Sequence, residues 1–108
     1  MRGHAERAAR NETIFREVNE RIEDATNRIG ALRDAEFLCE CGDVRCTDRI
    51  NLAVTEYERV RSNPAHFFIV PGHERPEIES VVERHDAYLL VEKVGKAREL
   101  AEERDPRS

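Results

Sequence analysis

Tryptophan is absent from this 108-residue chain. So is any apolar run approaching the roughly 20 residues that a membrane-spanning helix needs, which excludes an integral membrane protein of that kind. Aromatic residues make up only 6%, a poor supply for the successive stacking platforms of single-strand binders. There is no excess of base either: 18 Lys and Arg face 23 Asp and Glu, a net charge of −5. Broad binding to a phosphate backbone is therefore not expected. No glycine-rich phosphate loop and no Ser/His/Asp order is found. The opening Met1-Arg2-Gly3-His4-Ala5-Glu6-Arg7 has charge but no apolar segment behind it, so the expectation is a chain without a secretory signal, resident in the cytoplasm.

Cysteine is scarce as well, but all three fall within eight residues, Cys39-Glu40-Cys41-Gly42-Asp43-Val44-Arg45-Cys46. An odd, clustered set in a small polar protein points to metal ligation ahead of disulfides. Zinc takes four ligands in a tetrahedron, so three thiolates invite one histidine from elsewhere. His73 fits best, because it follows a Pro71-Gly72 break that turns the backbone sharply. His85, beside Asp86 in an expected turn, is the second choice, ahead of His66 and His4. Against the metal stand three other readings: small buried hydrophobes lining a core, a Cys41–Cys46 disulfide, and a redox pair. Three cysteines and a histidine also hold two-iron clusters in CDGSH-type proteins. Here Thr47-Asp48-Arg49 follows Cys46 without a nearby histidine, and zinc is the better expectation.

At 39% hydrophobic and 38% charged residues, the chain fits a single domain over 1–108 with a modest core, for which a structural metal is worth having. Ala8, Asn11, Phe15, Val18, Ile22, Ala25, Ile29 and Leu32 recur at spacings of three and four, which predicts a long N-terminal helix with those residues on its packed face. Glu12 with Arg16 and Glu17 with Arg21 are candidate ion pairs one turn apart, and Gly30 is a stop signal. The same stripe reads as a heptad seam, so a homodimer through this helix competes with docking inside the monomer.

Residues 36–41 and 49–54 predict a hairpin with the cysteines at its loop end. Thr55 and Glu58 predict a capping box opening a short helix that turns Tyr57 and Val60 inward and ends at Asn63-Pro64. The run 66–70 predicts a central strand. Residues 77–84 read as helix or strand, with a hairpin through 85–86 into 87–91 favoured. From about 95 the chain is a charged tail or a short helix. The fold expected is α+β, a long N-terminal helix packed on a small, mainly antiparallel sheet, with the metal at a hairpin tip.

Phe37-Leu38-Cys39-Glu40-Cys41-Gly42-Asp43, Cys46-Thr47-Asp48-Arg49-Ile50, Glu56-Tyr57-Glu58-Arg59-Val60-Arg61, Val70-Pro71-Gly72-His73-Glu74 and Val91-Glu92-Lys93 together resemble a group of short, largely actinobacterial proteins of unknown function. The resemblance implies that Cys39, Cys41, Cys46 and His73 act as one unit, and it implies no activity.

Function follows by elimination. An enzyme would need an open zinc position, with Glu74 or His73 as a base, yet sulfur-rich sites are usually closed. A non-catalytic adaptor or regulator working through contacts with a protein partner is the leading expectation. A nucleic-acid-binding regulator using Arg45, Arg49, Arg59 and Arg61 is the alternative.

Overall fold

The computed structural model describes residues 2–30 and 33–107, with side chains from residue 6 onward. It is α+β, in the order α1 (Arg2–Ile29), β1 (Asp34–Leu38), β2 (Arg49–Ala53), α2 (Val54–Arg61), β3 (His66–Ile69), β4 (Glu79–Arg84), β5 (Leu89–Lys93) and α3 (Gly95–Glu103). β1 and β2 form an antiparallel hairpin in which Phe37 faces Ile50. The other three strands form an antiparallel sheet in the order β3-β5-β4.

β5 is therefore the central strand, and the expectation that 66–70 would be central is corrected. The apolar character of β3 on both faces has another cause. Its free edge is closed by the cysteine segment, whose Glu40 amide donates to the Phe68 carbonyl at 3.0 Å. Successive residues of a strand point to opposite faces, and both faces of β3 are used. Phe68 joins an aromatic cluster in which Phe37 stacks on Tyr57 at 4.4 Å and Phe68 meets those two rings edge-on at 6.1 and 5.8 Å. Phe67, on the other face, lies 3.6 Å below the Arg16 guanidinium and 5.0 Å from Lys93 Nζ.

That cationic cover explains the largest departure from the sequence pattern. The face α1 buries is Ala8, Ala9, Glu12, Arg16, Asn19 and Glu23. The predicted apolar stripe is centred roughly 110° away around the helix, at about 100° per residue. Ile22 packs at the edge of the core, while Ile14 is 50% and Ile29 69% exposed. Leu32 lies outside the described residues. Arg16 donates through Nη1 to the Pro64 carbonyl at 3.0 Å and through Nη2 to the His66 carbonyl. Lys93 donates to Glu12, at 2.5 Å, and to Glu79. The expected Glu12–Arg16 pair is thus not formed, because each side chain has a buried partner from a distant segment. Burial pushes the Glu12 carboxyl up and Lys93 draws it back in part.

Two smaller expectations change, and one open alternative is settled. β1 ends at Leu38, so the cysteines lie in the connecting loop. α2 starts at Val54 with Ala53 as an extended N-cap and no side-chain cap bond, so the Thr55 capping box is absent. Of the two readings for the segment from about 95, the short helix is the one found. α3 buries Ala97, Leu100 and Ala101, and beyond it Asp105 accepts from Arg61 at 2.5 Å while Arg107 reaches Glu20 and Glu58 at 2.7 Å. Residues 79–84 are strand, as the hairpin reading favoured, with a bulge between Val81 and Glu83. No helix among the described residues is long and apolar enough to cross a membrane.

Candidate metal centre

The loop from β1 to β2 is built by two short-range devices. Asp43 accepts from the Arg45 amide through Oδ1 at 2.9 Å and from the Cys46 amide through its carbonyl at 2.9 Å. This tight turn folds Cys46 back over the residues before it. Gly42, at φ +81°, lies so close to α1 that a Cβ there would meet Glu12 Cγ at 3.0 Å and the Ala8 carbonyl at 3.2 Å. The second loop is a turn in which the His73 amide donates to the Val70 carbonyl at 3.0 Å, with Gly72 at φ +98°. Proline followed by a positive-φ glycine is the signature of a type II turn, and it delivers the imidazole to the cysteines.

Ligand atoms of Cys39, Cys41, Cys46 and His73 all lie within 4.8 Å of one another. His73 Nδ1 is 3.5 Å from Cys39 Sγ and 3.7 Å from Cys46 Sγ. Its Nε2 is 3.4 Å from Asp48 Oδ2. An imidazole that ligates through Nδ1 carries its proton on Nε2, and a carboxylate there holds that tautomer and the ring plane. The four residues can therefore hold a metal ion.

Each sulfur also faces a backbone amide. Val70 N–H donates to Cys39 Sγ at 3.2 Å, and the amides of Asp43 and Asp48 serve Cys41 and Cys46. Such donors stabilise negative sulfur. The Cys41 thiol is held down to about 5, chiefly by the hydrogen bond from Cys39, whose own thiol is pushed up in return. Burial pushes Cys46 up. All three cysteines are free, with no disulfide.

The other histidines lie elsewhere. His85, the second choice for the fourth ligand, stacks on Tyr88 at 4.4 Å and contacts Glu83 at 2.8 Å. Its turn belongs to the β4–β5 hairpin rather than to the cysteine loop. His66 contacts Asn63 and Glu92, and the His4 side chain lies outside the described set.

Residues that support the site were not singled out from the sequence. Glu40, between Cys39 and Cys41, points the opposite way and is fully buried under α1, where Asn19 donates to its Oε2 at 3.0 Å. Asn11 donates to the Gly42 carbonyl at 2.9 Å. A signal existed: Glu12, Arg16, Asn19 and Glu23 have the same three-and-four spacing as the apolar stripe.

Of the four arginines considered for phosphate contacts, Arg61 is buried against Glu20 and Asp105, and Arg59 pairs with Glu56 and Glu83. Arg45 and Arg49 stay exposed.

No family model, no curated protein and no solved structure matches this chain.

Proposed function

We propose that this chain is a small cytoplasmic zinc protein whose ion staples the domain and whose work is done through contacts with another protein, as a non-catalytic adaptor or regulator. The convergence of three sulfurs and one imidazole nitrogen within 4.8 Å carries the reading. For zinc, bond lengths of about 2.3 Å to sulfur and 2.0 Å to nitrogen in a tetrahedron put those atoms roughly 3.6 Å apart. The two sulfur–nitrogen separations of 3.5 and 3.7 Å agree with that edge. Such an ion would bridge the β1–β2 loop to the turn after β3. His73 at the fourth corner favours a closed site over one that keeps a water for chemistry.

The adaptor reading rests on chemistry left at the surface, including exposed Ile14 and Val44, and on the neutralisation of Arg59 and Arg61, which weakens the nucleic-acid alternative.

Elemental analysis of purified protein tests the metal: about one zinc per chain is expected, and its removal by a strong chelator should lower the melting temperature markedly. A metal-free protein with an unchanged melt would sink the reading. A pull-down should recover a specific protein that survives nuclease treatment and is lost on Cys41→Ser. Recovery of nucleic acid instead, weakening steeply with salt, would favour the alternative.

A further inference from the structure

Beside the metal loop lies a cleft of about 350 Å³ between the start of α1 and the loop tip, lined by Arg7, Ala8, Asn11, Val44, Arg45 and Arg75 among others. We propose that this cleft docks an acidic segment of a partner protein, one that carries an apolar residue beside its carboxylates. The inference rests on the protein-contact reading above and names the chemistry of the partner.

Charge is the first observation. Three guanidiniums meet one carboxylate, Asp43, in this cleft, although the whole chain carries a net charge of −5. Asp43 lies 3.6 Å from Arg45, whose side chain is 89% exposed. Among the described residues neither Arg7 nor Arg75 has a carboxylate within ion-pair distance. By contrast, Arg59, Arg61, Arg98 and Arg107 each bind two or more carboxylate groups. A local excess of guanidinium over carboxylate in a cleft fits a ligand that brings anions, and planar guanidiniums suit carboxylates in particular.

Apolar surface is the second. Val44, at the tip of the metal loop, is 72% exposed. Ile14, also exposed, is one turn along α1 from Asn11, on the strip that starts at Arg7. An apolar side chain of the partner can cover Val44 and Ala8 while its neighbouring carboxylates reach the arginines. A bare phosphate would use the charge but not this surface, and a nucleic-acid backbone would meet Asp48 and Glu74 on the adjoining side of the loop.

The test is an NMR titration of the metal-loaded full chain with acetyl-Leu-Glu-Glu-amide, with acetyl-Leu-Gln-Gln-amide, inorganic phosphate and a short oligothymidine as parallel arms. The acidic peptide should give saturable shifts at the amides of Arg7, Asn11, Gly42, Val44 and Arg45. Combined Arg7→Ala, Arg45→Ala and Arg75→Ala substitution should weaken it by about tenfold or more, and Val44→Ser by a few-fold, with metal content and melt unchanged. Equal binding of the glutamine peptide, tighter binding of phosphate or oligothymidine, or the absence of saturable shifts in this cleft would overturn the proposal. Metal analysis of the same sample separates this failure from failure of the zinc reading, which would show as metal-free protein whatever the peptide does.

Discussion

Asn19 holds Leu38 by both of its backbone groups: its Oδ1 accepts from the amide at 2.8 Å and its Nδ2 donates to the carbonyl at 3.0 Å. A side chain of α1 thus stands in for the neighbouring strand that β1 lacks on that edge, one residue before Cys39. Substituting Asn19→Ala leaves both groups of Leu38 and one oxygen of Glu40 without this partner. A loss on the order of 2–4 kcal/mol is expected, read by chemical denaturation, together with weaker metal retention in a chelator competition. Unchanged stability would mean that water replaces the amide freely.

Gly42→Ala and Gly72→Ala separate strain from collision. Both glycines have positive φ, but a Cβ at position 72 meets nothing within 4 Å, whereas at 42 it meets Glu12 and the Ala8 carbonyl. The first change should cost more than the second, which carries only the backbone penalty of about 1 kcal/mol. Equal melting temperatures would show that the metal loop does not sit against α1 as closely as described.

His73→Ala should loosen the ion far more than His85→Ala, since only the former approaches the sulfurs. Asp48→Asn should weaken metal binding by roughly tenfold, the lower end of the range for a group that orients a ligating imidazole. If His85→Ala proves the more damaging, the assignment of the fourth ligand fails.

Glu83 is held down to about 2, first by its hydrogen bonds from Arg59. A depressed carboxyl stabilises the fold above its unfolded value of about 4.3, and that contribution fades as pH falls toward the folded value. Arg59→Ala should bring Glu83 back toward the ordinary carboxylate range, as followed by carboxyl-carbon NMR. Glu12 and Glu40 run the other way: burial raises them, so acid relieves rather than removes what they contribute. A Glu83 titration that ignores Arg59→Ala would contradict the pairing.

The exposed end of α1 offers a test of the heptad reading. Ile29→Glu, at a residue 69% exposed in the monomer, should change its stability by no more than about 0.5 kcal/mol. Light scattering on the wild type distinguishes monomer from dimer. A mass near 12.5 kDa supports a free helix face, and a doubled mass that Ile29→Glu halves supports a homodimer through α1.

The convergence of Cys39, Cys41, Cys46 and His73 was legible in the sequence because it needs only local geometry. Thiolates two and five residues apart around Gly42, and an imidazole after Pro71-Gly72, need only turn geometry to project inward. The hairpins were legible through alternation and through turns at glycine and Asp86. What escaped was the face by which α1 docks. Periodicity reports that one stripe is apolar; it does not report that the surface below offers the Phe67 ring, the Lys93 ammonium and a row of backbone carbonyls. There the polar stripe finds its partners and wins. The ion pairs of Asp105 and Arg107 escaped for a similar reason, since their partners sit far away in sequence.

The ionic underside of α1 has a kinetic consequence. Collapse of apolar surface does not recruit a face made of Glu12, Arg16, Asn19 and Glu23, and each of their bonds needs a partner already in place on a distant segment. Among the described residues Arg16 Nε, Glu40 Oε1 and Arg61 Nη1 find no partner even then, so docking has little to gain until the rest is formed. The aromatic cluster of Phe37, Tyr57, Phe68 and Tyr88 can condense first, and because the chain has no tryptophan its tyrosine fluorescence would report that event without interference. α1 should then join after the folding barrier. Substitutions on its buried face should speed unfolding and leave the rate of folding almost untouched.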